Sequence, residues 1–201
     1  MKETWVDFHI HTTYSDGLLT PTQVVKKAKK AGLRAISITD HDTAAGIDEA
    51  VQAGKKAGIE IVPGVELSAQ LKGNEIHILG YFIKEDNEQL REYLARFQNK
   101  RDQRAEKIIE NLKKKNVQID IEEVRKEADG ASIGRPHIAE ILMKKGYVEH
   151  FQEAFQRYIG YRSPAYEEKY RIKPENAIKL IAQSGGLWFI AHPGKFITDE
   201  M

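Results

Sequence analysis

Residues 7–17, DFHIHTTYSDG, set His9 and His11 one residue apart at the end of a short apolar run, with Asp16 five residues further on. Alternate residues of a strand share a face, so a strand over Trp5–Ile10 brings both imidazoles to one side of a sheet. The next stretch reads as a helix start, with Thr20 as N-cap, Pro21 at the first helical position and Gln23 closing a capping box. That helix runs to about Ala31 and stops at Gly32. LRAISITDH is a second strand ending at His41, and TAAGIDEAVQAGKKAG a second helix closed by Gly58. IEIVPGVELSA and NEIHILGYF are third and fourth strands, with only QLKGN between them, which predicts a tight turn or hairpin. Strands alternating with helices predict an α/β fold with a mainly parallel sheet.

The pattern changes after Glu85. Leu90, Leu94, Phe97, Ala105, Ile108, Ile109 and Leu112 keep helical spacing, which predicts one long amphipathic helix over 88–115. Its basic residues are interleaved with Glu92, Asp102, Glu106 and Glu110, the composition of a solvated face rather than a nucleic-acid patch. Shorter helices are predicted at about 121–128, 135–145 and 151–159. Residues 86–166 therefore read as a helical insertion subdomain within an α/β domain made of 1–85 and 167–201. The α/β pattern resumes with a helix over 174–184 and a fifth strand in GGLWFIAHPGKF, ending at His192.

Composition removes several classes of function. With no cysteine, disulfides and thiolate metal sites are excluded, so any metal must be held by His, Asp and Glu. A net charge of +1, from 31 basic and 30 acidic residues, gives no bulk attraction to nucleic acid or a membrane surface. The first residues, MKETWVDFH, lack the apolar stretch of a signal peptide, and no 18-residue apolar run occurs. A cytoplasmic location and no membrane partner are expected.

Six of the seven histidines (9, 11, 41, 77, 137 and 192) fall at strand ends, in strands or at helix starts, and only His150 reads as incidental. His9, His11, His41 and His192 sit at carboxyl ends of strands, where α/β folds build their sites. Glu66 lies in the third strand, and His77 in the fourth with Glu75 two residues before it. Each signal alone has a plain structural explanation. Asp16 suits the turn SDG, Asp40 and Asp42 could cap a helix, and Glu66 could be a buried paired acid. Together they differ, because burying so many ionisable groups without a counter-cation would exceed a domain's net stability of about 5–15 kcal/mol. A metal cluster removes that cost.

In order, HxH with its following Asp, TDHD, PGVELS, EIHILGYF and AHPG resemble the PHP superfamily, named for its polymerase and histidinol-phosphatase members. GRPHIA, residues 134–139, resembles the small phosphoesterases of that superfamily that dephosphorylate nucleoside 3′,5′-bisphosphates or trim RNA 5′ ends. The resemblance implies a distorted (β/α)7 barrel with a helical insertion. It also implies His9, His11, Asp16, His41, Glu66, His77 and His192 as ligands of two or three divalent metals, with Glu66 bridging two. Manganese comes first among these metals, with iron or zinc as alternatives. Arg135 and His137 would meet the substrate phosphate, Arg135 by the bidentate contact its guanidinium suits, and Lys195 would add a further contact. Asp40 would orient a ligand from behind.

The activity implied is hydrolysis of a phosphate monoester of a small nucleotide, such as a nucleoside 3′,5′-bisphosphate. A metal-activated hydroxide would attack, and His192 or His137 would protonate the leaving oxygen. One alternative is a 5′–3′ exonuclease on RNA or single-stranded DNA ends, with Tyr158, Tyr161, Arg162 and Tyr166 lining a groove rather than packing the insertion. The family pattern ends with a late Asp-x-His, and this sequence carries nothing after HPGKFITDEM. The expectation is an incomplete, C-terminally truncated barrel whose fifth strand has an open edge. A catalytically impaired metal-binding fragment is thus a second alternative.

Overall fold

The helix start at Thr20 forms as a reciprocal cap: Gln23 N donates to Thr20 Oγ1 (3.3 Å) and Thr20 N donates to Gln23 Oε1 (2.9 Å). The structure is a computed structural model that describes residues 5–129 and 132–195. The order is β1 (Trp5–Ile10), α1 (Pro21–Lys30), β2 (Leu33–Ile38), α2 (Ile47–Ala57), β3 (Glu60–Leu71), β4 (Asn74–Tyr81), α3 (Glu88–Lys113), α4 (Ile121–Ala128), α5 (Arg135–Lys144), α6 (Phe151–Ala154), α7 (Pro174–Gln183) and β5 (Leu187–Ile190). The chain divides into two compact units, one of residues 1–94 with 171–201 and one of 95–170.

The first unit holds the sheet, in the order β1-β2-β3-β4-β5. β1, β2 and β3 are parallel, whereas β4 runs antiparallel to β3 and β5 antiparallel to β4. The sheet is therefore mixed rather than mainly parallel. The expected hairpin is the cause. Lys72 (φ 49°) and Gly73 (φ 87°) are both left-handed, the geometry of a tight turn that matches strand twist, so β4 returns along β3 instead of crossing over.

The sheet curls. Phe8 of β1 and Tyr81 of β4 touch across two intervening strands, with ring centroids 5.9 Å apart. His9 of β1 and His192, just past β5, stack at 5.8 Å although their strands are opposite edges of the sheet. This is a half-barrel of five strands. Among the described residues β1 and β5 are its edges, and Trp5, Val6, Phe8 and Leu187 to Ile190 are exposed there.

Strand alternation sorts β3 into two roles. Val65, Leu67 and Ala69 enter an apolar cluster with Ile78 of β4 and Ala177 and Ile181 of α7. Glu66 and Ser68 point the other way, yet both are fully buried. A second cluster packs Val24, Val25 and Ala28 of α1 on Ile36 and Ile38 of β2. Helix α2 begins at Ile47 rather than at Thr43, and Gly58 ends it with φ 65°.

The second unit is helical, with its own core of Ile108, Leu112, Val124, Ile138, Leu142 and Ile159. The helix expected over 151–159 is α6 followed by a π-helical turn, Phe155–Ile159. Gly160 permits the wider turn: its N–H donates to Phe155 O (2.8 Å), and a Cβ at Gly160 would lie 2.3 Å from that same oxygen.

Candidate metal centre

Glu66 is the centre of the site. Its side chain is 0% exposed, and five imidazoles reach it. His9 Nε2, His11 Nε2 and His41 Nδ1 lie 2.9, 3.1 and 3.6 Å from Oε2. His77 Nδ1 and His192 Nε2 lie 2.9 and 3.0 Å from Oε1. The rings form a closed circle. Centroids are 5.1 Å apart for His9 and His11, 4.6 Å for His11 and His41, 4.8 Å for His41 and His77, 5.1 Å for His77 and His192, and 5.8 Å for His192 and His9. Asp16 closes one side, with Oδ1 3.3 Å from His11 Nδ1 and Oδ2 3.7 Å from His41 Nε2.

Topology explains the convergence. The parallel strands β1 and β2 deliver His9, His11 and His41 from their carboxyl ends, and His41 bridges to Glu66 in register. β4 runs the other way, so the residue it places at this rim comes from its amino-terminal half: His77 pairs with Ser68. The last ladder bond of β5 is Ala191 N to His77 O, 2.9 Å. His192 then adopts φ 35° immediately before Pro193, a position where extended backbone is the rule. Such a conformation persists only where the surroundings fix it, and here it accompanies an imidazole placed against Glu66.

The electrostatics are those of a cation site. Burial opposes charge on Glu66, but hydrogen bonds from His11 and His77 outweigh it and hold the carboxyl far below the usual carboxylate range. Burial drives His41 down to about 3. Burial also works against His77, yet its bonds to Glu66 and Glu75 raise it to about 9. One carboxylate offers about four lone-pair positions, too few to satisfy five imidazoles. The buried His41 Nδ1 makes no hydrogen bond among the described residues. Nitrogen lone pairs aimed at a shared centre fit divalent cations. Three overlapping groups qualify: His9, Glu66 and His192; His11, Asp16 and His41; His41, Glu66 and His77. Within each group the ligand atoms lie within 4.8 Å of one another.

Two aspartates beside His41 act on backbone segments rather than on helix α2, whose N-cap Gly46 has no side-chain bond. Asp40 accepts from Thr12 N (2.6 Å), Thr12 Oγ1 (2.6 Å) and Ser15 Oγ (2.5 Å), which ties down the turn between His11 and Asp16. Asp42 accepts from Ser68 N (2.7 Å) and Ser68 Oγ (2.6 Å), two residues from Glu66. Sequence reasoning marked Asp40 as a support but not Asp42, Thr12, Ser15 or Ser68, because small hydroxyl residues carry no spacing signal.

Arg135 and His137 belong to the second unit. Arg135 Nη1 donates to Ile159 O (3.2 Å), and its guanidinium lies 5.6 Å from the Phe155 ring and 5.7 Å from the Tyr166 ring. His137 Nδ1 accepts from Gly134 N (3.1 Å), which leaves the ring proton on Nε2. Burial lowers its pKa. Lys195 ends a 3-10 turn begun by Pro193, and its side chain lies outside the described residues. Tyr158 packs against the core of the second unit, whereas Tyr161 is exposed. No helix among the described residues is long and apolar enough to cross a membrane.

Comparison with known proteins finds relatives along most of the chain. A 5′-3′ exoribonuclease of Haemophilus influenzae is 36% identical over 190 residues, which are 94% of this chain and 69% of that protein. The 3′,5′-nucleoside bisphosphate phosphatase of Chromobacterium violaceum is 30% identical over 192 residues, 95% of this chain and 67% of that one. The chain thus spans about two thirds of the length of these relatives. Among solved structures, a proposed metal-dependent phosphoesterase from Bifidobacterium adolescentis matches with a TM-score of 0.83 at 32% identity, covering 95% of this chain and 68% of that one. The PHP domain profile matches residues 7–186, which takes in β1 through α7 and the whole helical unit but ends before β5 and His192, and the chain belongs to the PHP domain family.

Proposed function

We propose that this chain hydrolyses phosphate esters of nucleotides, with a nucleoside 3′,5′-bisphosphate as the representative substrate. Two or three divalent cations would be held by His9, His11, Asp16, His41, Glu66, His77 and His192. The observation that carries the reading is the convergence of five imidazole nitrogens on one fully buried carboxylate. When bound, the cations supply Lewis acidity and lower the pKa of water. Manganese is the proposed ion, with iron or zinc as alternatives, since nitrogen and carboxylate ligands suit all three. Arg135 is assigned to the phosphate on the family resemblance, as a fixed fork of donors matched to its oxygens. His137, neutral with its proton on Nε2, is a hydrogen-bond donor to the same group. His192 or His137 would protonate the leaving oxygen in this reading, in either case from its imidazolium form. Lys195 is a further phosphate contact in this reading.

A 5′–3′ exonuclease is the second reading. A relative named 5′-3′ exoribonuclease matches this chain at 36% identity over 190 residues. The second unit also carries an aromatic and basic patch, with Tyr161 and Tyr166 edge to face at 5.5 Å and Arg162 5.2 Å over the Tyr161 ring. Aromatic faces with adjacent cations suit stacking of single-stranded bases.

The test is metal content by ICP-MS on protein purified without chelator. It is paired with manganese-dependent phosphate release from adenosine 3′,5′-bisphosphate and mononucleotide release from 5′-labelled RNA. Two or more metals with phosphate release support the first reading. Mononucleotides from RNA support the second. Metal with neither product identifies a metal-binding protein without these activities, and folded protein that takes up no manganese overturns the cluster.

A further inference from the structure

Behind His77 stand two residues that the proposed ligand set does not use. His77 places Nδ1 2.9 Å from Glu66 Oε1, while its other nitrogen, Nε2, is 3.0 Å from Glu75 Oε1. Glu75 and His77 are alternate residues of β4, opposite Gln70 and Ser68 of β3, and so share a face. The second oxygen of Glu75 accepts from Arg171 Nη2 at 2.5 Å. Arg171 is itself anchored by its neighbour: Ile172 bridges Ala69, and Gln70 N donates to Ile172 O at 2.8 Å. A connected line therefore runs from the end of β3 through Arg171 and Glu75 to His77.

The geometry points to Glu75 and Arg171 as positioning residues for the metal site, acting through His77. An imidazole can ligate through Nδ1 only if its proton sits on Nε2. A carboxylate accepting that proton's hydrogen bond selects the tautomer, fixes the ring plane and raises the ligand's basicity. Arg171 keeps Glu75 turned toward His77 by occupying its other oxygen. The pair is poorly explained as a stability device. The Glu75 side chain is 36% exposed and that of Arg171 14%, so water at Glu75 screens part of their attraction, and stability alone does not account for the aim of Glu75 at His77. The inference rests on the metal cluster proposed above.

The experiment uses the full chain. Wild type, Glu75→Gln, Arg171→Gln, Arg171→Lys and the double variant Glu75→Gln/Arg171→Gln are stripped and titrated with Co(II). Occupancy is measured by ICP-MS and the ligand set by visible absorption, with circular dichroism confirming that each variant is folded. Glu75→Gln is expected to weaken binding at one cobalt by about 10–100-fold and to shift its absorption band. Arg171→Gln should act in the same direction and less strongly, Arg171→Lys should restore most of the affinity, and the double variant should be no worse than Glu75→Gln. If wild type binds cobalt and Glu75→Gln matches it in affinity and spectrum, the positioning role is wrong and the cluster stands. If wild type itself binds none, the cluster falls and this inference with it.

Discussion

Replacing Asp40 tests whether the site is held together from behind. Asp40 is 1% exposed and Thr12 0%, so the two bonds from Thr12 N and Oγ1 are made out of water. Asp40→Ala leaves both donors buried without their acceptor. A hydrogen bond to a charged group nets about 1.5–3 kcal/mol, so the pair is worth about 3–6 kcal/mol, while half-exposed Ser15 can turn to water at little cost. The assay is urea unfolding of metal-free protein, which removes stabilisation by bound ions. The two tryptophans, Trp5 and Trp188, lie in β1 and β5, so their fluorescence follows the first unit alone. A Thr12→Val variant completes a double-mutant cycle, in which the two changes should be strongly non-additive. The structural consequence is a loosened turn between His11 and Asp16, and weaker binding at the group they share with His41. A loss below about 1 kcal/mol, or simple additivity, would refute the claim that this carboxylate fastens the turn.

Three further perturbations address the site itself. Glu66→Gln removes the charge common to two of the three ligand groups, so ICP-MS should show at least one metal lost while the His11, Asp16 and His41 group keeps its own; undiminished stoichiometry would show that Glu66 is not a ligand. Gly17→Ala places a Cβ 2.3 Å from His11 O and 2.7 Å from Thr12 N, both backbone atoms that cannot yield separately. It should cost about 1–3 kcal/mol and displace Asp16, and an unchanged melting temperature and metal content would contradict the packing. In metal-free protein, His77 holds its proton up to about 9 against 6.5 in the unfolded chain. That contribution is complete below about pH 6.5 and disappears as pH climbs to about 9, at most about 3 kcal/mol in all. Melting temperature should fall across that interval without metal and not with it; a flat metal-free profile would mean that His77 is uncharged there.

The parts of this molecule legible in its sequence are those that obey a local period. Thr20, Pro21 and Gln23 announce a helix start through contacts made within three residues, and the cap forms as read. His9 and His11 share a face because strand period is two, and both reach the same oxygen of Glu66. Strand direction is not local. Alternation of strands and helices predicts parallel pairing only when each helix crosses to a neighbour. The Lys72–Gly73 turn reverses the chain, and β5 takes its direction from β4. The π turn after Ala154 depends on the missing Cβ of Gly160 and on a carbonyl five residues back, which no apolar periodicity records.

The same division runs through the site. Residues that would meet a metal are chemically conspicuous, because histidine and buried glutamate are costly and rare in strands, so their joint placement is improbable without a cation. Residues that hold those ligands in place are ordinary: Thr12, Ser15 and Ser68 are small polar residues of the kind found in any turn or strand. What brings them to the candidate site is the fold, Asp40 reaching back 28 positions to Thr12 and Asp42 forward 26 to Ser68. His41 sits between those two aspartates and contributes to two of the three ligand groups. The segment Asp40–Asp42 therefore sets the separation of the groups, one aspartate clamping the turn that carries Asp16 and the other the strand that carries Glu66. If the cluster proposed above holds two or more cations, these three consecutive residues would serve as the strut that keeps their spacing.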